Sequence, residues 1–288
     1  MIDHSLLAEQ FEAHRGRLQM AAYRMLGSLS EAEDAVQEAW LRISRTDTSG
    51  VENMGGWLTT VVARICLDML RSRKSRREMP LESDEPEPMT SGGDGSDPEY
   101  EALLADSVGL ALLVVLDRLT PAERVAFVLH DVFAVSFSEI ALIVGRTETA
   151  ARQLASRARR RVQGVKKNPK ADLVRQRELI GSFLSAARAG NFDALLKILD
   201  PQIVLLDDRG GIRREVRDVR IVAKRVVAGR GRDAQPALVN GTVGIIVAPR
   251  GKLSFVIMLT VKADKIAEIS VISDPVRIHR LDLAVLGD

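Results

Sequence analysis

Two helix-capping signals followed by a basic helix constrain the fold of this chain more than any other feature. Thr120-Pro121-Ala122-Glu123 and Ser136-Phe137-Ser138-Glu139 both follow the Ser/Thr-x-x-Glu pattern of a helix start. The second of these helices is short, because Gly145 supplies the left-handed residue that ends a helix. A third helix is predicted from about Glu148. Two helices around one glycine turn indicate a helix-turn-helix.

The third helix combines an apolar face with a basic remainder. Its apolar residues recur every four positions, which predicts a buried face made of Ala150, Leu154, Ala158 and Val162. Residues 146–167 contain eight Lys or Arg and one Glu. A clustered basic stripe is typical of phosphate contact, so this helix is predicted to bind DNA as a recognition helix. The alternative is an ordinary amphipathic helix whose arginines lie on its solvent-exposed face and bind no DNA.

The N-terminal part of the chain predicts three more helices. The first ends at Gly27, and Ser30-Glu31-Ala32-Glu33 predicts the capping box of the second. That helix has an apolar stripe and a mixed, largely acidic outer face, made of Asp34, Gln37, Glu38 and Arg42. The third helix is predicted to start at Trp57, after Gly55-Gly56. It ends in residues 71–77, which hold five positive charges suited to a polyanion.

These residues carry a family resemblance. The run Glu33-Asp34-Ala35-Val36-Gln37-Glu38-Ala39-Trp40, then Gly56-Trp57-Leu58-Thr59-Thr60-Val61-Val62-Ala63-Arg64 with Leu67-Asp68-Met69-Leu70-Arg71, resembles the sigma-2 domain of bacterial extracytoplasmic-function (ECF) sigma factors. The basic helix-turn-helix resembles their sigma-4 domain. The resemblance therefore covers the chain from the N-terminus to the end of the helix-turn-helix.

The resemblance implies a dissociable subunit of RNA polymerase, with core RNA polymerase and promoter DNA as partners. It implies that polymerase is bound by Asp34, Gln37, Glu38 and Arg42. It implies that the unstacked −10 strand is captured by the loop 46–56 and by Trp57, Arg64, Arg71 and Arg73. For Trp57 a place in the core is the alternative to base stacking.

The resemblance also implies that the recognition helix reads the −35 element in the major groove. The side chains expected there are Thr149, Arg152, Gln153, Ser156, Arg157, Arg160 and Arg161. We expect Arg152 and Gln153 to approach base edges, because they lie near the start of the helix. The arginines at 157, 160 and 161 are expected to contact phosphate instead.

An acidic segment separates the two sigma-like regions. Residues 78–106 contain ten acidic residues and no Lys or Arg, with Pro, Gly and Ser clustered among them. Such a composition cannot build a core, so we predict a flexible linker at 79–107. The predicted domains on either side are a sigma-2 domain at 1–78 and a sigma-4 domain at 108–168. The net charge of +2 hides this asymmetry.

The sequence also bounds redox chemistry, metal binding and location. Cys66 is the only cysteine, which excludes an intramolecular disulfide, and the Cys and His positions match no zinc-ligand spacing. Cys66 is expected to be a buried, inert thiol, and neither a metal nor a cofactor is predicted. The N-terminus has no signal-peptide pattern and no run of about 18 apolar residues occurs, so we expect a cytoplasmic protein without a membrane partner.

The C-terminal third has a different pattern of predicted secondary structure. Two helices are followed by β-rich runs at Ile203–Leu206, Ala237–Val247, Leu253–Val261 and Ile266–Ile272, which predicts an α+β domain at 171–288. This order resembles the SnoaL-like, cone-shaped fold of nuclear transport factor two, which one sigma subgroup carries after sigma-4. The resemblance implies a pocket, so an unknown small ligand is a further candidate partner.

An enzymatic role for this domain would need an acid/base pair. Asp207 and Asp208 are the nearest candidates, but they lie beside a glycine turn, where aspartate is ordinary turn chemistry. The only histidine of the domain, His279, is near the chain end. No catalytic residue is therefore predicted.

The sequence as a whole predicts a multidomain protein with two all-α sigma domains, the second a helix-turn-helix, followed by an α+β SnoaL-like domain. The predicted function is that of an alternative sigma factor, not an enzyme, whose C-terminal domain modulates activity in cis. Two alternatives stay open. One is a stand-alone repressor that needs no polymerase, and the other is a SnoaL-like enzyme or ligand sensor fused to a DNA-binding module.

Overall fold

A computed structural model describes residues 4–46, 50–78, 107–164, 170–208, 214–229 and 233–286. The chain divides into two compact units. The first contains the N-terminal helices and Leu116–Arg159, and the second contains Pro98–Val115 and everything from Arg160 onward. The predicted acidic linker lies outside the described residues, apart from Ser107, which begins a helix.

Seven α-helices lie in the described ranges before the C-terminal domain. In chain order they are α1 (His4–Leu26), α2 (Leu29–Ile43), α3 (Met54–Glu78), α4 (Ser107–Leu116), α5 (Pro121–Phe127), α6 (Phe137–Val144) and α7 (Glu148–Gln163). A π-helical stretch, Val128–Val132, continues α5. The predicted sigma-4 boundaries, 108–168, differ from the division by contacts, because α4 up to Val115 and the last turn of α7 belong to the second unit. None of the helices in the described ranges is long and apolar enough to cross a membrane.

Helices α1 to α3 pack together around a shared apolar core. Gly27, with φ of 76°, ends α1 as predicted. The predicted capping box at Ser30 is wrong: α2 starts at Leu29, and its N-cap is Ser28, which makes no side-chain capping bond. The reason is that the turn at Gly27 leads directly into the extended Ser28, so Ser30 already lies in the first helical turn.

The start of α3 also differs from the prediction, because both glycines lie inside the helix. Asn53 caps the helix, since its Oδ1 accepts a hydrogen bond from the Gly56 amide at 3.0 Å. A Cβ at Gly56 would lie 2.8 Å from Asn53 Nδ2, and a Cβ at Gly55 would lie 3.0 Å from the His14 ring. Because the two glycines have no side chains, the side chains of Asn53 and His14 can approach the start of α3 closely.

Both predicted capping boxes of the helix-turn-helix are confirmed. Thr120 Oγ1 accepts from the Glu123 amide at 3.4 Å, while the Glu123 carboxylate accepts from the Thr120 amide at 3.1 Å. The corresponding distances in the box of Ser136 and Glu139 are 3.3 and 3.2 Å. Gly145, with φ of 68°, ends α6, and α7 then begins at Glu148.

The C-terminal domain begins with α8 (Lys170–Arg188) and α9 (Phe192–Ile198). Seven strands follow: β1 (Leu199–Asp207), β2 (Arg214–Val216), β3 (Ala234–Val239), β4 (Thr242–Val247), β5 (Phe255–Lys262), β6 (Lys265–Ile272) and β7 (Leu283–Ala284). They form one sheet in the order β2-β1-β6-β5-β4-β3-β7, in which β1 and β6 are parallel and the other pairs antiparallel. Helices α8, α9 and α10 (Val219–Ala228) pack on this sheet around an apolar core.

The predicted α+β class is confirmed, and the order of helices before strands agrees with a SnoaL-like domain. The predicted run Ala237–Val247 is two strands, because Asn240 and Gly241 both have positive φ and form a tight turn between β3 and β4. Helix α10, the short helix α11 (Pro275–His279) and the edge strands β2 and β7 were not predicted.

Candidate polymerase and promoter interfaces

Helix α7, the predicted recognition helix, presents all seven predicted −35 side chains to solvent. Its buried residues are Ala151, Ala155, Ala158 and Val162. The prediction was right for the last two and wrong for Ala150 and Leu154, which are only half-buried. A strict repeat of four drifts around a helix by about 40° per step at roughly 100° per residue, whereas the observed 4-3-4 spacing stays on one face.

Three arginines of α7 differ in their surroundings. Arg152 Nε donates to Glu148 Oε1 at 3.2 Å in an exposed ion pair, and its guanidinium lies 5.3 Å from the Phe137 ring centroid. Arg159, which was not assigned to the interface, pairs with Asp131 of the π-helical stretch at 2.7 Å. Arg157 is exposed. The arginine expected to read bases is thus held against α6 and Glu148 in the free protein.

The outer face of α2 contains the four predicted polymerase-binding residues. Asp34, Gln37 and Arg42 are exposed and Glu38 is half-buried, with Arg42 Nε donating to Glu38 Oε1 at 2.8 Å. Leu41 lies on the same face and is 52% exposed. Sequence reasoning missed this leucine, although its place outside the apolar stripe of α2 was visible from helical spacing. The face therefore combines charged groups with one exposed apolar side chain.

The predicted −10 residues of α3 fall into two groups. Trp57 is half-buried, while Arg64 and Arg71 are exposed; Arg71 Nη1 lies 3.7 Å from Asp68 Oδ1. Arg73 has a structural role, because its Nη1 donates to the Leu26 carbonyl at 3.2 Å and its Nη2 pairs with Glu31. A DNA contact by Arg73 would require this ion pair to break.

A buried charge lies between α5 and the N-terminal helices within the first unit. Arg124 is 3% exposed, and its Nη1 lies 3.3 Å from Asp117 Oδ1. A Cβ at Gly27 would lie 3.1 Å from Arg124 Nη2. Burial lowers the pKa of Arg124, and it raises the pKa of the nearby Cys66 thiol to about 12. The prediction of a buried cysteine is confirmed.

A cleft of about 460 Å³ lies in the same unit. One wall consists of α1 side chains and residues 52–56 of the predicted −10 loop and the start of α3. The other wall is the turn before α6, at residues 133–135, with Glu139. Arg17 of α1 approaches this turn, with Nη2 3.5 Å from the Phe133 carbonyl. The helix-turn-helix therefore faces the loop that was expected to capture DNA.

In the C-terminal domain, Asp208 has a structural role. Its Oδ1 accepts from the Ser273 amide at 2.7 Å and from the Ser273 hydroxyl at 3.0 Å, and its Oδ2 pairs with Arg277 at 2.7 Å. His279 is exposed. Both oxygens of Asp208 thus tie the end of β6 to α11, which leaves this carboxylate poorly placed for acid/base chemistry.

Asp207 is buried and lines a separate cleft of about 390 Å³, together with Arg214, Arg225 and the end of α10. Two guanidinium groups against one carboxylate give this cleft a positive balance.

The last turn of α7 is joined to the C-terminal tail within the second unit. The Val285 amide donates to the Val162 carbonyl at 2.9 Å, which satisfies one of the open carbonyls at the end of the helix. Gly164 has φ of 61°, and a Cβ there would lie 2.3 Å from the Ala284 Cβ. Strand β7 and the residue after it therefore contact the end of α7 directly.

Comparison with known proteins identifies two family models in the helical part. Sigma-70 region 2 matches residues 10–76, and Sigma-70 region 4 matches residues 109–162. The ECF RNA polymerase sigma factor SigJ of Mycobacterium tuberculosis H37Rv is 41% identical over 83% of this chain and 80% of its own length. The probable ECF RNA polymerase sigma factor SigI of the same organism is 35% identical over 96% of both chains. The crystal structure of M. tuberculosis SigJ covers 93% of this chain and 96% of its own, with 37% identity and a TM-score of 0.46.

Proposed function

Because this chain belongs to the ECF RNA polymerase sigma factors, we propose a division of its surface among core RNA polymerase, the −10 strand and the −35 duplex. As a member of this family it is a transcription initiation factor rather than an enzyme, and it directs promoter-specific initiation. The division follows the predicted sigma-2 domain at 1–78 and sigma-4 domain at 108–168.

The observation that carries the promoter assignment is the exposed face of α7. The predicted −35 side chains are all exposed there, on a helix whose opposite face packs through small apolar residues. The preceding α6 is fixed by its capping box and by Gly145. A capped helix, a tight turn and an exposed basic helix form the geometry that enters a major groove. Arg152 and Gln153 would then read bases, and the arginines further along would contact phosphate.

For polymerase, we assign the outer face of α2, with Leu41 added to Asp34, Gln37, Glu38 and Arg42. An exposed leucine among charged groups is typical of an interface with an apolar centre and a polar rim. The matched control is Val174 of α8, because it is also 52% exposed. We expect Leu41→Ser to weaken binding to core polymerase and Val174→Ser to leave it unchanged, as measured by titration of labelled core enzyme. Equal effects of the two substitutions would remove Leu41 from the interface.

The residues proposed to contact the −10 strand are Trp57, Arg64 and Arg71. Arg73 is proposed to contact it only when its ion pair with Glu31 is broken. Trp57 at the start of α3 is half-buried, so one part of its ring is available for stacking while the rest packs.

The experiment that tests the whole assignment is reconstituted transcription. Purified protein with core RNA polymerase should initiate at a restricted set of genomic fragments, and neither component alone should do so. The variant Arg157→Ala should reduce initiation at every active promoter, while Arg220→Ala, an exposed arginine of α10, should not. Absence of specific initiation, together with a duplex footprint by the protein alone, would support the stand-alone repressor instead.

We propose that the C-terminal domain acts in cis through the end of α7. Supporting this is the bond from Val285 to Val162, because a domain that holds the last turn of the recognition helix can influence that helix. A small anionic molecule in the cleft beside Asp207 could shift the balance only if it bound two arrangements with different affinity. Truncation after residue 170, with core binding and initiation measured side by side, tests the role of the domain. If core binding and initiation are both unchanged by the truncation, with and without cell extract as a source of ligand, the C-terminal domain does not regulate sigma activity.

A further inference from the structure

Side chains from three elements of the helix-turn-helix meet at the start of α6. His130 lies in the π-helical stretch, and its ring centroid is 3.8 Å from that of Phe137, the first residue of α6. The guanidinium of Arg152, near the start of α7, lies over the same Phe137 ring, 5.3 Å from the centroid. We call His130, Phe137 and Arg152 the Phe137 stack. It joins the turn before α6 directly to a residue that we propose to read bases.

The backbone before α6 fixes the Phe137 ring in place. His130 Nδ1 lies 3.1 Å from the Val135 carbonyl oxygen, and the ring donates this bond because a carbonyl can only accept. The Val135 amide donates to the Leu129 carbonyl at 2.9 Å. Ala134 has φ of 56°, a left-handed conformation that is unfavourable for alanine and persists only where the surrounding structure imposes it. The ring is therefore held by a strained turn before any DNA is bound.

Glu148 and the Phe137 ring hold Arg152 in different ways. Glu148 Oε1 accepts from Nε of Arg152 at 3.2 Å and also from Nη2, so it occupies N–H groups that a base edge would need. The ring attracts the cation through its π electrons and brings no carboxylate to compete for these donors. Arg152 can therefore exchange Glu148 for a base while it stays over the ring. An arginine supported in this way loses less side-chain freedom on binding.

We propose that Phe137, backed by His130, is a positioning residue for −35 recognition, because its ring holds Arg152 ready to meet a base edge. The inference rests on the proposed base reading by Arg152, and it adds a determinant of promoter selectivity that lies outside α7. Phe137 acts through Arg152 rather than by contact with DNA. Its contribution to selectivity should therefore vanish when Arg152 is removed.

The size of the expected effect follows from the exposure of Arg152, whose side chain is 62% exposed. A cation over an aromatic ring at an exposed site changes an equilibrium constant about two- to fivefold, which corresponds to about 0.5–1 kcal/mol. The support matters only where Arg152 meets its base, so the loss should fall on the matched −35 site. Binding to a scrambled site depends on phosphate contacts and should not change.

The test measures the selectivity of the holoenzyme, defined as the ratio of its affinities for two duplexes. One carries the −35 element of a promoter that is active in the reconstituted reaction, and the other carries the same element scrambled. Phe137→Leu keeps an apolar side chain without a ring, and it should lower the ratio about two- to fivefold through weaker binding to the matched duplex. An unchanged ratio would overturn the proposal.

The matched control is Phe133→Leu. Phe133 is a half-buried phenylalanine of the same turn, and its ring lies under no arginine in the described part of the chain. This variant should keep the wild-type ratio, because it leaves the Phe137 stack intact.

Two further variants separate positioning from a general structural role. Phe137→Tyr keeps a ring and should keep the wild-type ratio. In an Arg152→Ala background, Phe137→Leu should lower the ratio no further, because nothing remains for the ring to position. An equal fall with and without Arg152 would contradict the proposal. Equal weakening of both duplexes by Phe137→Leu would also contradict it, since that result indicates only damage to the helix-turn-helix.

If Phe137→Leu does not fold, as judged by circular dichroism, the wild-type protein still decides. The ring current of Phe137 should shift the side-chain NMR signals of Arg152 upfield of those of Arg157, an exposed arginine of the same helix. Signals of the two arginines at the same positions would rule out the stack. Failure of the stack leaves the proposed function standing, because specific initiation and the selectivity of Arg152→Ala are measured without it. Absence of specific initiation in the reconstituted reaction would instead remove the proposed function.

Discussion

The ion pair between Glu148 and Arg152 allows a sharp test of base reading by α7. In the free protein the guanidinium of Arg152 is held by Glu148 and by the Phe137 ring at 5.3 Å. Removing Arg152 and removing Glu148 should therefore have opposite effects on DNA binding. Arg152→Ala deletes the group that we propose to read a base, whereas Glu148→Gln releases that group and removes a negative charge from the end of α7 that we propose to face DNA.

The magnitudes follow from ordinary contact energies. A good bidentate base contact contributes about 1–3 kcal/mol of discrimination, so Arg152→Ala should reduce the preference for a matched −35 site by roughly 5- to 150-fold. An exposed pair four residues apart on a helix contributes only about 0.3–0.5 kcal/mol. Glu148→Gln should therefore tighten binding about twofold through release of Arg152, with a further gain at low salt from the lost negative charge.

The assay is competition binding of holoenzyme to matched and scrambled −35 duplexes at two salt concentrations. Arg157→Ala is the matched control, because it should weaken both duplexes alike and reduce the salt slope by about one. Equal losses on both duplexes after Arg152→Ala would refute base reading. Weaker binding after Glu148→Gln would show that the acidic group supports the contact rather than competing with it.

Three further predictions concern stability and reactivity. Ser136→Ala removes the cap of α6 and should cost about 1 kcal/mol of unfolding free energy, measured by urea denaturation. Gly145→Ala and Gly164→Ala each place an alanine in a left-handed conformation, which costs about 1–2 kcal/mol of unfolding free energy. Only the new Cβ at position 164 meets a neighbour, Ala284. Gly164→Ala should therefore lower stability more and expose the C-terminal tail to protease. Equal effects would contradict the contact with Ala284. Cys66, with a pKa of about 12, should resist alkylation at pH 8 until the protein unfolds. Above about pH 9 the thiol ionises in the unfolded state but not yet in the folded state. The stability contributed by the neutral thiol is therefore lost as pH rises toward 12.

The sequence was a good guide where the information is local. A capping box needs only a Ser or Thr and a Glu three residues later, and the boxes at Thr120 and Ser136 were correct. The box at Ser30 failed because Gly27, three residues earlier, had already set the start of α2. In the same way, the two glycines were predicted to precede α3, whereas the cap at Asn53 places both inside the helix, where Gly55 lies close to the His14 ring.

The candidate surfaces were predictable for a related reason. Helical periodicity determines which residues of an amphipathic helix are exposed, so the exposed faces of α2 and α7 followed from residue spacing. Ala150 and Leu154 were wrongly predicted to be buried because the repeat was taken as four residues instead of about 3.6. Arg73 could not be separated from Arg71 by spacing. Its ion pair with Glu31 joins residues 42 apart in the chain.

The sequence alone thus determined the starts of α5 and α6, the basic exposed face of α7 and the order of helices before strands, because these depend on neighbouring residues. Tertiary structure alone decided that Arg124 is buried against Gly27, that β7 reaches the end of α7, and that α3 packs against α5 and α6. These features depend on residues far apart in the chain. Their energies come from desolvation and close packing, which no periodicity in the sequence encodes.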